Sequence, residues 1–198
     1  ISIAGHSMRE GKWEKKAYGK GVELGGKSLG VIGYGRIGQA LGRMAQGLGM
    51  NVVAYDIFHV EGIECETMHY VTMDELLAQS DIVSLHCPLN DESRGMINRE
   101  TIAKMKEGAL LINAARGPVV DSQALADALN SGRLGGAGID VFEMEPPVPQ
   151  DHPLLHAKNT IVTPHVAFAT AESMEERCHI VFDNLKAWMD GAPVNRVL

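Results

Sequence analysis

Residues 27–38 read KSLGVIGYGRIG, and RIGQALGRMAQGLG continues the chain from residue 36 to residue 49. An apolar run closes on Gly33, and the period then changes. Ile37, Leu41, Met44, Ala45 and Leu48 recur at helical spacing until Gly49 stops the pattern. A strand that passes through a glycine turn into a helix is half of a βαβ unit. Gly33, Gly35 and Gly38 stand at that turn in the spacing G-x-G-x-x-G. The spacing alone is a weak signal, and its place between strand and helix gives it weight. Gly33 suits a tight turn. Gly35 lets backbone N–H groups approach a pyrophosphate at the positive end of the helix, and Gly38 lets the helix lie close on the strand.

The next apolar run, NVVAYD, ends in Asp56, 23 residues after Gly33. A carboxylate there can accept the hydroxyls of an adenosine ribose and repel an added phosphate. Neither Arg nor Lys directly follows Asp56, so the expected cofactor is NAD rather than NADP. The plain alternative is a glycine-rich turn and a solvated Asp, which leaves the ordered strand, turn, helix and acid as coincidence.

Outward from this unit, strands and helices alternate. HYV predicts a third short strand, MDELLAQS a helix, DIVSLHCP a fourth strand ended by Pro88, and residues 99–106 a helical turn or two. ALLINAA predicts a strand. DSQALADALNSG predicts a helix with Asp121 as N-cap and Gly132 as its stop. GAGIDVF and NTIVTP are further strands, separated by the proline-rich loop EMEPPVPQDHP. The last helix carries apolar residues at 174, 178, 181, 182, 185, 188 and 189 in one stripe and ends near Asp190-Gly191. Apolar strands alternating with helices predict an α/β fold: a doubly wound parallel (Rossmann) sheet of about seven strands, covered on both faces. The expected division is a leader segment at 1–26, the nucleotide-binding unit at 27–168, and a C-terminal helix and tail at 169–198.

Of the 198 residues, 45% are hydrophobic and 22% charged, a globular mix with enough apolar content for a core. The net charge of −7, without a basic cluster, argues against a nucleic-acid partner. The apolar runs are strand-sized, which argues against a membrane span. Cys65, Cys87 and Cys178 are scattered, with no metal or disulfide spacing, so no metal is expected and the reading is of a cytoplasmic protein. The chain opens on Ile1 without a signal-peptide pattern, and its start reads as the middle of something longer.

Ligands of an open parallel sheet sit beyond the carboxyl ends of its strands. Arg116 follows ALLINAA, Glu145 follows GAGIDVF at a short remove, and His165 follows NTIVTP directly, while Asp140 lies near the end of GAGIDVF. An arginine offers a planar fork to a carboxylate. A histidine can take a hydroxyl proton as hydride leaves the same carbon, and an adjacent carboxylate favours its protonated ring. Singly, each has a plain alternative: a turn arginine, a structural histidine, a solvated glutamate. Their joint placement on successive strand ends points to redox chemistry on a hydroxy acid.

The runs GKSLGVIGYGRIG, LHCPLNDESRGMIN, LLINAARGPVVD, GGAGIDVFEMEPP and NTIVTPHVAFAT, in this order, resemble the D-isomer-specific 2-hydroxyacid dehydrogenases from about residue 9 onward. The resemblance implies that Arg116 binds and polarises the substrate, that His165 is the acid/base, and that Glu145 is its partner. It implies that Arg36 and Ile37 lie at the pyrophosphate, Asp56 at the adenosine ribose, and Asp140 at the nicotinamide end. Cys87-Pro88, Ala114-Ala115 and Ala167 would line the cofactor, together with Arg116 and His165. Complete members carry a second, substrate-binding domain built mostly from an N-terminal segment that is absent here, and they usually form homodimers. The substrate would be a small 2-hydroxy or 2-keto acid; Val166-Ala167-Phe168 departs from the Ile-Gly-Gly common in phosphoglycerate dehydrogenases. Two alternatives follow from the same resemblance: an NADH-responsive corepressor-like binding protein, and a cofactor-binding fragment with little activity alone.

Overall fold

A computed structural model describes residues 2–13, 15–16 and 21–196. A short helix α1 (Ser2–Arg9) comes first, a helix where the sequence suggested none. Part of the Gly- and Lys-rich stretch, residues 17–20, lies outside the described residues.

The alternating pattern forms as expected. β1 (Ser28–Ile32), α2 (Arg36–Gly47), β2 (Asn51–Tyr55), β3 (Met68–Tyr70), α3 (Met73–Gln79), β4 (Ile82–Leu85), α4 (Arg99–Lys104) and β5 (Leu110–Asn113) follow one another. Then come α5 (Ser122–Ser131), β6 (Gly136–Ile139), α6 (Pro153–His156), β7 (Thr160–Val162) and α7 (Ala171–Met189). Seven strands form one sheet in the order β3-β2-β1-β4-β5-β6-β7. All six pairings are parallel. The order reverses between β1 and β4, so the switch point lies there.

Local chemistry sets the helix ends. Thr72 and Glu75 form a capping box on α3. Asp121 accepts the Ala124 N–H at the start of α5, and Gly132 ends that helix at φ 80°. α6 lies inside the proline-rich loop; Pro153 sits in its first turn and His152 caps it.

Two expectations about burial fail. Of the periodic apolar residues, Ile37, Met44 and Leu48 are 69%, 62% and 59% exposed, while Leu41 is half-buried against the smaller core cluster. The buried face is Gly38, Gly42 and Ala45. A methyl group on Gly38 would overlap the Gly33 carbonyl oxygen, and one on Gly42 would overlap the Tyr34 hydroxyl. The helix therefore sits too close to its strand for large side chains between them. The second failure is at the carboxyl end. α7 has no buried residue, and its stripe stands in solvent. The edge strand β7 is likewise uncovered at Ile161.

The larger core cluster includes Leu76, Leu85, Leu111, Leu125 and Ile139, and a smaller one joins Val31, Tyr34, Val52 and Met68.

Candidate cofactor and acid/base site

β1 delivers Gly33 to its turn at φ 91°, and a Cβ there would meet the Cys87 nitrogen at 2.5 Å. Glycine is thus needed twice, for the backbone conformation and for the contact with the segment after β4. Gly35 is the N-cap of α2 and makes no side-chain cap, and a Cβ on it would meet nothing within 4 Å. Gly35, Arg36 and Ile37 are exposed. The first-turn N–H groups of α2 therefore face open space with no acidic side chain of their own helix beside them. That arrangement suits a phosphate group.

Next to this turn is a cavity of about 400 Å³ whose walls include Gly33, Asp56, Cys87, Pro88 and Met96. Asp56 Oδ2 accepts the Tyr34 N–H at 2.6 Å, and Oδ1 accepts the Phe58 N–H at 3.0 Å. The backbone thereby orients the carboxylate and leaves each oxygen a further lone pair. Burial raises the pKa of the Cys87 thiol, with Asp56 adding to the effect, so it lines this cavity as a neutral group.

At the other end of the sheet, β5, β6 and β7 are neighbours, and their carboxyl ends carry Arg116, Glu145 and His165. Asn113 shapes the first of these loops: its side chain accepts the Ala115 N–H and donates to the Arg116 carbonyl, both at 3.0 Å. Ala115 is buried and Ala114 half-buried. Arg116 is exposed. Its guanidinium donates to the Ala115 carbonyl at 2.6 Å, and it makes no salt bridge among the described residues.

His165 Nδ1 lies 2.7 Å from Glu145 Oε2, while Oε1 of the same carboxylate accepts the Phe142 N–H at 2.7 Å. Burial acts to raise the Glu145 pKa, but the Phe142 N–H and His165 outweigh it and hold the carboxyl below its ordinary value. His165 has φ 53°, a left-handed conformation that is costly for a residue with a Cβ. Asp140 holds it there. The Asp140 carbonyl accepts the His165 N–H at 2.8 Å. Its carboxylate accepts the Val166 and Ala167 N–H groups, each at 2.9 Å, and the Thr163 hydroxyl. Burial opposes ionisation of Asp140, and these hydrogen bonds overcome it, so its pKa lies below the usual value. Asp140 and Ala167, read from the sequence as cofactor contacts, thus also build the His165 turn.

A second cavity, about 410 Å³ and mostly apolar, opens beside the pair and is walled by Phe142, Val148, Leu155 and Val162. Phe168 stands edge-on to the His165 ring at 6.0 Å between centroids. Among the described residues no group of three or more His, Cys, Asp or Glu side chains could hold a metal ion. No helix there is long and apolar enough to cross a membrane.

Sequence reasoning missed Glu143 and His152. Their contact, Nε2 to Oε2 at 2.9 Å, braces the proline-rich loop. Nothing in their spacing signals it.

A sequence-family model, D-isomer specific 2-hydroxyacid dehydrogenase, NAD binding domain, matches residues 1–167. The chain is 49% identical over 196 residues to a hydroxypyruvate reductase of Blautia hydrogenotrophica, covering 96% of this chain and 60% of that protein. It is 44% identical over 189 residues to a glyoxylate reductase of Korarchaeum cryptofilum, covering 93% of this chain and 56% of that one. The D-lactate dehydrogenase of Aquifex aeolicus, solved with NAD and lactic acid, superposes with a TM-score of 0.88 at 34% identity, over 96% of this chain and 61% of that one. The chain therefore spans little more than half the length of such relatives. The match extends through the glycine turn and all three strand-end residues, and the chain belongs to the D-isomer specific 2-hydroxyacid dehydrogenase family, whose NAD-binding domain it carries.

Proposed function

We propose that the protein carrying this chain is an NAD-dependent oxidoreductase that interconverts a small D-2-hydroxy acid and its 2-keto acid. The observation that carries the reading is the 2.7 Å contact of Glu145 with His165 Nδ1, on the strand end two places from that of Arg116.

The residues present fit NAD. The uncapped α2 terminus and the open space over Gly35 suit a pyrophosphate, and Asp56 suits a ribose with free hydroxyls. When bound, NAD supplies the hydride acceptor, and NADH the donor. Arg116 offers its remaining N–H groups to the substrate carboxylate. With Glu145 accepting at Nδ1–H, the neutral His165 ring keeps its lone pair on Nε2 and can take the hydroxyl proton. In the reverse direction the doubly protonated ring returns that proton to the carbonyl oxygen, and Glu145 stabilises the cation. Hydroxypyruvate and glyoxylate are the first substrates to test, since the Blautia and Korarchaeum relatives are named for them.

The same reading makes the protein cytoplasmic and homodimeric, with residues 27–168 as the nucleotide-binding unit. The scattered free cysteines support the first point.

His165→Ala in the full-length protein is expected to cut turnover at least about 100-fold, in the range of general acid/base catalysis. Turnover within about tenfold of wild type would overturn the assignment. Failure of the wild type to oxidise NADH with any 2-keto acid would leave an NADH-responsive binding protein instead.

A further inference from the structure

Gly117 directly follows Arg116, yet it is not among the glycines with positive φ, so the turn itself does not demand glycine there. Contact does. A methyl group on Gly117 would overlap the Phe142 carbonyl and come within 2.5 Å of the Glu143 nitrogen. The Arg116–Gly117 backbone therefore rests against the Phe142–Glu143 backbone. That same backbone donates the Phe142 N–H to Glu145 Oε1, and the other oxygen of Glu145 contacts His165.

Further contacts lock this seat. Glu143 accepts from His152 Nε2 at 2.9 Å, and His152 is only 9% exposed. His152 Nδ1 accepts the Leu154 N–H, so Nε2 is the nitrogen that carries the proton. The Gly95 and Ile97 N–H groups also donate to the Pro118 and Val119 carbonyls. The segment after Arg116 is thus held by two other stretches of chain and has little room to shift.

We infer that Gly117 and Glu143 are positioning residues that set the distance between Arg116 and the Glu145–His165 pair, with the Phe142–Glu143 backbone as their common seat; this rests on the function proposed above. Any side chain at residue 117 pushes the substrate-holding arginine away from the proton-handling histidine. A misplacement of about 1 Å between such groups can cost about 100-fold in rate.

The test uses the full-length protein and the variants Gly117→Ala, Glu143→Gln, Glu145→Gln and His165→Ala. It measures kcat and KM for the keto acid, the NADH Kd by fluorescence, and the downfield imidazole N–H proton of His165 by NMR. Gly117→Ala is expected to lower kcat at least about tenfold, with the NADH Kd within about twofold of wild type. Glu143→Gln keeps the size but loses the carboxylate. It is expected to lower kcat about fivefold and to weaken the downfield resonance, again with NADH affinity kept. If Gly117→Ala does not fold, Glu143→Gln decides. A folded variant with kcat within about twofold of wild type overturns the inference. So does an equal loss of kcat and NADH affinity, which would mean general loosening. If Glu145→Gln and His165→Ala keep turnover, the functional reading fails. If only those two lose it, this inference alone fails.

Discussion

Asp140 is 6% exposed, and its acceptors are engaged by the Thr163 hydroxyl and two consecutive backbone N–H groups. The charge is kept in a nearly buried place because the turn it holds keeps His165 at positive φ. Its folded-state pKa is depressed, so its contribution to stability is present above the ordinary carboxylate range and is lost as pH falls through and below about 4. Glu145, depressed in the same direction, adds to the loss in the same window. Asp140→Asn cannot accept all three donors and is expected to cost about 2 kcal/mol at pH 7, seen as a lower Tm. The difference from wild type should shrink as pH falls below about 4, because the unfolded chain then takes up a proton that the folded carboxyl resists. A Tm difference that stays constant from pH 7 to pH 3 would contradict this account.

At the scale of elements, α2 and α7 show two uses of the same periodicity. α2 turns Gly38, Gly42 and Ala45 toward the sheet and leaves Ile37 and Met44 in solvent, because the glycine turn brings the helix onto β1. Gly38→Ala should move the helix off the strand and carry the Gly35–Ile37 N–H groups with it. The expected cost is about 1–3 kcal/mol from overpacking. The Kd for NAD, read by calorimetry, should rise about tenfold or more, since the proposed pyrophosphate site is made of those N–H groups. Unchanged affinity in a folded variant would separate the glycine from the cofactor. In α7, Phe182 and Trp188 are 70% and 67% exposed. Replacing both with Gln should leave the Tm of this chain within about 1 °C, as expected for exposed positions. It should also reduce any concentration-dependent association seen by sedimentation, because the exposed apolar stripe is lost. A large Tm fall would mean that the stripe is packed after all.

For the molecule as a whole, the cofactor turn and the strand-end residues lie in one seven-stranded sheet. The chain nevertheless covers only 60% of the Blautia relative. This chain alone is expected to bind NAD in calorimetry and to turn over keto acids at least about 100-fold more slowly than the full-length protein, because orienting the substrate supplies much of the rate. No binding at millimolar NAD would count against a formed cofactor site, and full turnover by the chain alone would show that the remaining length contributes no orientation.

What the sequence by itself determined was local. The strand and helix types, their order, the glycine turn, the Asp121 and Gly132 caps, and the arrival of Arg116, Glu145 and His165 at strand ends could all be read from short runs. Each depends on neighbours within a few residues, so a pattern along the chain contains it. The helix α6 escaped notice because its four residues, inside a proline-rich loop, are too brief to show a period, and α1 because no acidic residue in its first turn announces a start. Only the tertiary structure decided which faces are buried, why Gly117 must be glycine, and that Glu143 and His152 brace the proline-rich loop. Periodicity says which side chains share a face; it does not say what that face meets. Gly38 against Gly33, Gly117 against Phe142, and an α7 with no buried residue are facts about packing between elements, and packing distance is set by all of them together.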